Sequence, residues 1–273
     1  VFNEGEFTTT TDDNGDYTLP ADTPAGKIVA SGGTDIMTNK PFQGVLTAPS
    51  GSTVINPITT IVQSLITSGK SVAEAQTATQ VALGLPENVN TLSYDPLAVL
   101  NDSEATTESK AEALSYQTKA VQVSNVISQS TAAIKSGAGE ATQESGADAV
   151  SKAIATKINE SADTEIDLSD SDTLGSIIET AAVNAGEETT IDAAKAAQIA
   201  AVTSASNTSA KNTTTIEALA KTVVVAQGDV VDAITAAVTD DTDLGVVATD
   251  FSGDNLDTAV ESAAVGEIFQ TVA

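Results

Sequence analysis

Pro57-Ile58-Thr59-Thr60-Ile61-Val62-Gln63-Ser64-Leu65-Ile66-Thr67-Ser68-Gly69 is where the chain changes character. Ile58, Ile61, Val62, Leu65 and Ile66 recur at intervals of three and four, which lays one apolar stripe along a helix. Pro57 suits the first helical position, where an N–H would have no partner anyway. Gly69 stops the helix. Ser71 followed by Glu74 has the spacing of a capping box, so a second helix begins there. It runs to about Leu83, where Gly84-Leu85-Pro86 breaks it.

Downstream, the same period predicts a long helix over about 104–135 and further helices near 143–159, 170–185, 189–206, 213–238 and 256–272. Asp and Ser/Thr clusters at 161–173 and 239–254 read as connecting loops, and no fixed-period repeat is present. Upstream, residues 1–56 are rich in turns. Phe7–Thr11, Tyr17–Leu19, Lys27–Ser31, Gln43–Ala48 and Thr53–Ile55 are candidate strands. Asp13-Asn14-Gly15-Asp16 is a hairpin turn signal between the first two. The expected fold is α+β: a small β-sandwich-like domain at 1–56, then a larger all-α domain at 57–273 rich in Ala and Thr.

Composition narrows the function. Eleven basic residues stand against 38 acidic ones, a formal charge of −27, and every basic residue is Lys. No basic groove is available to neutralise phosphates, so nucleic acid is excluded as an expected partner. Calcium and salty surroundings suit such a surface. The apolar fraction of 41% supports a real core, and aromatics at 3% speak against an aromatic-walled ligand pocket. No uninterrupted run of 18 apolar residues occurs, so no membrane span is expected. No signal peptide is visible and the first residue is not Met, so the chain reads as a processed or partial piece of a longer product.

Most catalytic designs lack their parts here. Cys, His and Arg are absent, which removes Ser–His and Cys–His pairs and nearly all zinc sites. Carboxylate chemistry of the glycosidase kind remains. Asp12-Asp13 and Asp240-Asp241 are the pairs at a suggestive spacing, and solvated loop acids are the simpler account of both. At the N-terminus, Val1-Phe2-Asn3-Glu4-Gly5-Glu6 matches the second half of an EF-hand-type calcium loop. With Val1 at position 7, Phe2 takes the apolar position 8, Asn3 falls at 9 and Glu6 at the bidentate position 12. Asp12, Asn14 and Asp16, one strand further on, are candidate additional oxygen ligands. An ordinary acidic turn is the alternative for both clusters.

The stretch Glu4-Gly5-Glu6-Phe7-Thr8-Thr9-Thr10-Thr11-Asp12-Asp13-Asn14-Gly15-Asp16-Tyr17-Thr18-Leu19 resembles the calcium-loop-plus-hairpin segment of large bacterial surface proteins with carboxypeptidase-regulatory-like or SdrD B-like β-sandwich modules. Gly32-Gly33-Thr34-Asp35, the run Leu46–Thr60 and Ala82-Leu83-Gly84-Leu85-Pro86 resemble a module of very long secreted adhesins and RTX-type proteins. The resemblance covers about residues 1–100; the remainder is an Ala-rich helical tail. It implies a secreted, cell-surface setting, an adhesive or scaffold role and no catalytic residue, and it carries Glu6 over as a calcium ligand. The first half of the calcium loop is missing from the match.

Modules of this type begin with a strand before the acidic loop, and the chain as given starts after it. A sheet lacking that strand would leave an open edge able to accept one from another copy. The expected function is therefore a non-enzymatic subunit of an extracellular fibre or layer, assembled head to tail. Val223-Val224-Val225 and Ile268–Val272 are the β-prone candidate donors. The alternatives are a monomeric calcium-stiffened module of a giant adhesin and, further off, a carboxylate-based glycoside hydrolase. Expected partners are copies of itself and other cell-surface or matrix components.

Overall fold

The computed structural model describes residues 6–13, 15–42, 44–137, 143–161, 164–186 and 190–265. The chain is α+β and mostly helical. Four short strands come first: β1 (Ile28–Ser31), β2 (Thr34–Asp35), β3 (Lys40–Pro41) and β4 (Val45–Ala48). Helices follow: α1 (Pro57–Thr67), α2 (Val72–Leu83), α3 (Pro96–Asn101), α4 (Thr107–Gly137), α5 (Gln143–Glu160), α6 (Ser171–Ala185) and α7 (Ala193–Lys211). Next come α8 (Ile216–Val224), a π-helical segment (Val225–Asp229), α9 (Val230–Thr239), α10 (Leu244–Asp250) and α11 (Gly253–Ser262).

The apolar stripe that opens α1 is its buried face: Ile58, Ile61, Val62 and Leu65 are completely covered. Asn56 caps the helix with its side chain accepting from the Thr59 N–H at 2.9 Å, and the Thr59 hydroxyl accepts from the Asn56 N–H at 2.9 Å. Ser71 and Glu74 form the expected capping box of α2, with the Ser71 N–H donating to Glu74 Oε2 at 2.9 Å. The Ser71 hydroxyl, donating to Glu74 Oε2 at 2.6 Å, and then the Ser71 N–H hold the Glu74 carboxyl below its ordinary range. Gly84 ends α2 at φ 60°, a conformation that costs glycine little. The acid clusters also serve helix starts. Asp95, Asp170, Asp192 and Asp243 cap α3, α6, α7 and α10 through their side chains.

The long helix α4 spans about 46 Å at 1.5 Å per residue and is the central strut. It packs against α1, α3, α5, α6, α7, α8 and α9. α5, α6 and α7 pack in sequence beside it. Small side chains permit close approach: a Cβ at Gly146 of α5 would lie 2.8 Å from Thr131 Cγ2 of α4. A main apolar core runs from Ile58 and Leu65 through Ile154, Ile177 and Ile199 to Ile234 and Leu256. A smaller cluster joins Met37, between β2 and β3, to Val121, Leu219, Ala220 and Val223.

The strands differ from expectation. Among the described residues they form two two-stranded antiparallel sheets, β1–β4 and β2–β3, and no pair of stacked sheets. Phe7–Thr11, Tyr17–Leu19 and Thr53–Ile55 are irregular. The Thr53 and Val54 N–H groups both donate to the Leu92 carbonyl instead of a neighbouring strand. The reason a sandwich does not assemble here is that β4 packs against α1 and α5, so a helix occupies the place a second sheet would take. The helix α10, seven residues long, lies where a loop was expected, and α3, six residues long, was not anticipated; each depends on an Asp cap and burial of one or two side chains more than on periodicity.

Val223 and Val225, two of the three residues of a candidate donor strand, are buried in the α8–π–α9 helix. The other candidate donor, Ile268–Val272, lies outside the described residues. Ile216–Thr239 is long and apolar enough to cross a membrane by length and composition, a property hidden from a search for uninterrupted apolar runs. Leu219, Ala220, Val223, Val230 and Ile234 on this helix are buried against the rest of the bundle, as in a core helix of the same composition.

Candidate functional site

The β1–β4 ribbon has two edges, and the sequence around Thr47 makes them unequal. β1 and β4 run antiparallel with Val29 opposite Thr47 and Ala30 opposite Leu46. The Thr47 N–H donates to Thr60 Oγ1 at 3.0 Å, and the Thr47 carbonyl accepts from the hydroxyls of Thr59 and Thr60 at 3.0 and 3.2 Å. These groups therefore point away from β1, toward the first turn of α1. In an antiparallel ladder the opposing residue behaves alike. The N–H and C=O of Val29 point outward on the far side of β1, and those of Ser31 follow by alternation. No group among the described residues pairs with them. The β4 edge is closed by a helix and the β1 edge is open. The Val29 side chain is 42% exposed there.

The residues singled out as calcium ligands are placed as follows. Glu6 is exposed. Asp12, Asp13 and Asp16 lie at a tight turn, in which the Asp12 N–H donates to the Asp16 carbonyl at 2.9 Å and the Gly15 N–H to the Asp12 carbonyl at 3.0 Å. Asp12 Oδ1 accepts from the Asp16 N–H at 3.0 Å, so that carboxylate serves the backbone of the turn. Asn3 and Asn14 lie outside the described residues. Among the described residues no group of three or more acidic side chains converges as a metal cluster would.

Asp240 ends α9, and Asp241, at φ 50°, lies 3.7 Å from Lys195 Nζ. An open groove of about 320 Å³ between the α2–α3 connection and α4 is lined by Asn88, Asn90, Ser93, Tyr94, Ser109 and Glu112. It offers one carboxylate, where glycoside hydrolysis uses two. Tyr94 also packs edge-on against Tyr116, with ring centroids 5.0 Å apart. Burial pushes both phenols above their ordinary range.

Sequence reasoning missed a polar seam inside the bundle. Gln122, Asn125 and Gln129 on α4 face Thr203, Ser206 and Asn207 on α7, all buried. Asn125 Nδ2 donates to Asn207 Oδ1 at 3.0 Å, and Asn207 Nδ2 donates to the Leu168 carbonyl at 2.7 Å. Gln129 Oε1 accepts from the Thr203 hydroxyl, while its Nε2 donates to Ser206 Oγ and to the Ala226 carbonyl, both at 3.0 Å. Ala226 belongs to the π-helical segment, and Gln227 of the same segment donates to Asn125 Oδ1 at 3.1 Å. The seam fixes the longitudinal register of α4, α7 and the π segment, because a shift would strand buried polar atoms. Its signal in the sequence is polar residues at 122, 125 and 129, a helical spacing.

No family model matches the chain, and neither a curated protein nor a solved structure matches it.

Proposed function

We propose that the chain is a non-enzymatic structural protein of a bacterial cell surface, secreted and assembled head to tail from copies that join by strand addition at the outer edge of β1. The observation that supports this is the contrast between the two edges of the ribbon. One is satisfied by Thr59 and Thr60; the other, among the described residues, presents backbone groups with no partner beside an exposed Val29. An open strand edge is a template for another strand. When giver and receiver are different surfaces, the contact repeats into a filament. A sandwich completed between copies, whose second sheet is not found among the described residues, belongs to the same proposal. A formal charge of −27 opposes association in dilute salt, so assembly strengthens as ionic strength or divalent cation rises.

The test is sedimentation and negative-stain electron microscopy across protein concentration, with calcium and with chelator. Regular filaments are expected. A monodisperse particle at high concentration and high calcium removes the proposal in favour of the second reading, a monomeric calcium-stiffened module of a larger adhesin. The acidic turn at Asp12–Asp16, with Glu6 exposed six residues before it, favours that second reading. Calcium at Glu6 is common to both: Glu6→Gln lowers the affinity seen in a calcium titration, and an unchanged titration withdraws the metal.

A further inference from the structure

We infer that the strand added to β1 is the Phe7–Thr11 arm of a second copy. This rests on the proposed self-assembly and names the segment that performs it. Phe7, Thr8, Thr9, Thr10 and Thr11 are all exposed and belong to no strand. Their backbone groups make no hydrogen bond among the described residues. Yet Phe and Thr are strand formers. The arm's root is fixed. The turn at Asp12–Asp16 closes behind it, and the Tyr17 hydroxyl donates to the Ser52 carbonyl at 2.9 Å. What lies ahead of that root is a β-prone segment with its backbone unsatisfied by other protein groups.

The open edge is its counterpart in three respects. β1 has four residues, Ile28–Ser31, a length that five arm residues cover. Neither segment carries a charge. In a chain that repels its own copies, two exposed neutral stretches are where backbones can meet without bringing carboxylates together. Each also exposes one large apolar side chain, Phe7 at 43% and Val29 at 42%, and pairing covers both. Among the described residues nothing pairs with the arm, and the receiving edge is placed on another copy. Giver and receiver are different surfaces, and the contact propagates.

The absence of Cys from the natural chain makes crosslinking decisive. Single variants Thr8→Cys, Thr9→Cys and Thr10→Cys are each mixed with Val29→Cys under conditions in which the natural protein assembles, then oxidised. Three adjacent positions cover the possible registers and both faces of the strand. At least one mixture is expected to give a disulfide-linked pair several-fold above either variant alone. A second measurement uses the double variant Thr8→Pro/Thr9→Pro, which removes one ladder N–H in whichever register the arm lies. It is expected to sediment as a monomer with an unchanged circular dichroism spectrum. If the natural protein assembles while no mixture crosslinks and the proline variant still forms filaments, the arm is not the donor, although the self-assembly proposal stands. If the natural protein does not assemble, both fall. A Thr9→Cys/Val29→Cys chain that crosslinks to itself as a dilute monomer would show the arm folding back on its own edge, which also overturns the inference.

Discussion

The chain before Asn56 and the chain after it solve the same problem differently. After Asn56, each helix satisfies most of its backbone internally and needs neighbours only for its apolar face. Before Asn56, each strand depends for every hydrogen bond on a segment elsewhere, and among the described residues the four strands, two to four residues long, pair only two by two. One edge of the β1–β4 ribbon is completed by α1 and the other is not. The difference teaches that backbone satisfaction is local in the helical region and depends on distant segments in the strand region.

Four comparisons test that division. The largest effect is expected in the bundle: Ile177→Ala, at a side chain 1% exposed between α6 and its neighbours, should cost about 2–5 kcal/mol in urea unfolding. Val29→Ala on the open edge should stay within about 0.5 kcal/mol. Comparable losses at both positions would erase the distinction.

The polar seam sharpens the comparison next. Asn207→Ala removes the acceptor for Asn125 Nδ2 and the donor to the Leu168 carbonyl, leaving buried polar groups without partners. A loss of about 2–3 kcal/mol is expected in the same unfolding assay. A loss below about 0.5 kcal/mol would mean that the seam contributes nothing to holding α4 against α7.

Thr60→Val probes the joint between the regions. The shape is kept, but the Thr47 N–H loses its acceptor. About 1 kcal/mol should be lost, and hydrogen exchange at the Thr47 amide should accelerate. An unchanged exchange rate there would show that α1 does not protect the β4 edge.

The smallest effects are those of pH, and the two regions should differ in sign. In the strand region, burial raises the Asp35 carboxyl above its ordinary range even though its Oδ1 accepts from the Met37 N–H at 2.7 Å. Its ionised form is disfavoured on folding, so this group lowers stability as pH rises through the interval between its unfolded and folded values. Asp35→Asn keeps the acceptor and removes the charge. It should stabilise at neutral pH, with the gain vanishing below the usual Asp range. In the helical region, the Ser169 N–H and then Lys211 hold Asp167 below its ordinary range. Its contribution is present above the unfolded value and is lost as pH falls through the lowered folded one. Asp167→Asn should therefore destabilise slightly at neutral pH, by an amount that shrinks in acid. Urea midpoints from pH 3 to pH 8 measure both, and shifts of the same sign would contradict this assignment.

Much of the helical region is legible because each helix announces itself within one segment. Ile58, Ile61, Val62 and Leu65 mark a face, and Pro57, Ser71 and Gly84 mark ends. The short helices α3 and α10 escape notice because six or seven residues hold too little of a period. The N-terminal region is half legible. Lys27–Ser31 and Gln43–Ala48 contain β1 and β4, but Phe7–Thr11 has equal β-propensity and no partner among the described residues. The valines at 223–225 read as strand by residue type and are helical because their neighbours on both sides continue a helix packed on α4.

By itself the sequence determined an acidic, Lys-only composition, the main helices with the Ser71–Glu74 capping box, and the turn at Asp12–Asp16, since all of these follow from composition or from residues a few positions apart. Tertiary structure alone decided which ribbon edge is closed, through Thr59 and Thr60 reaching Thr47 twelve and thirteen residues earlier. It also decided that polar residues 74 to 102 positions apart meet in a buried seam. Local propensity is set by the torsions and spacing of neighbours. Whether a backbone group or a buried amide has a partner depends on segments that only the packed fold brings together.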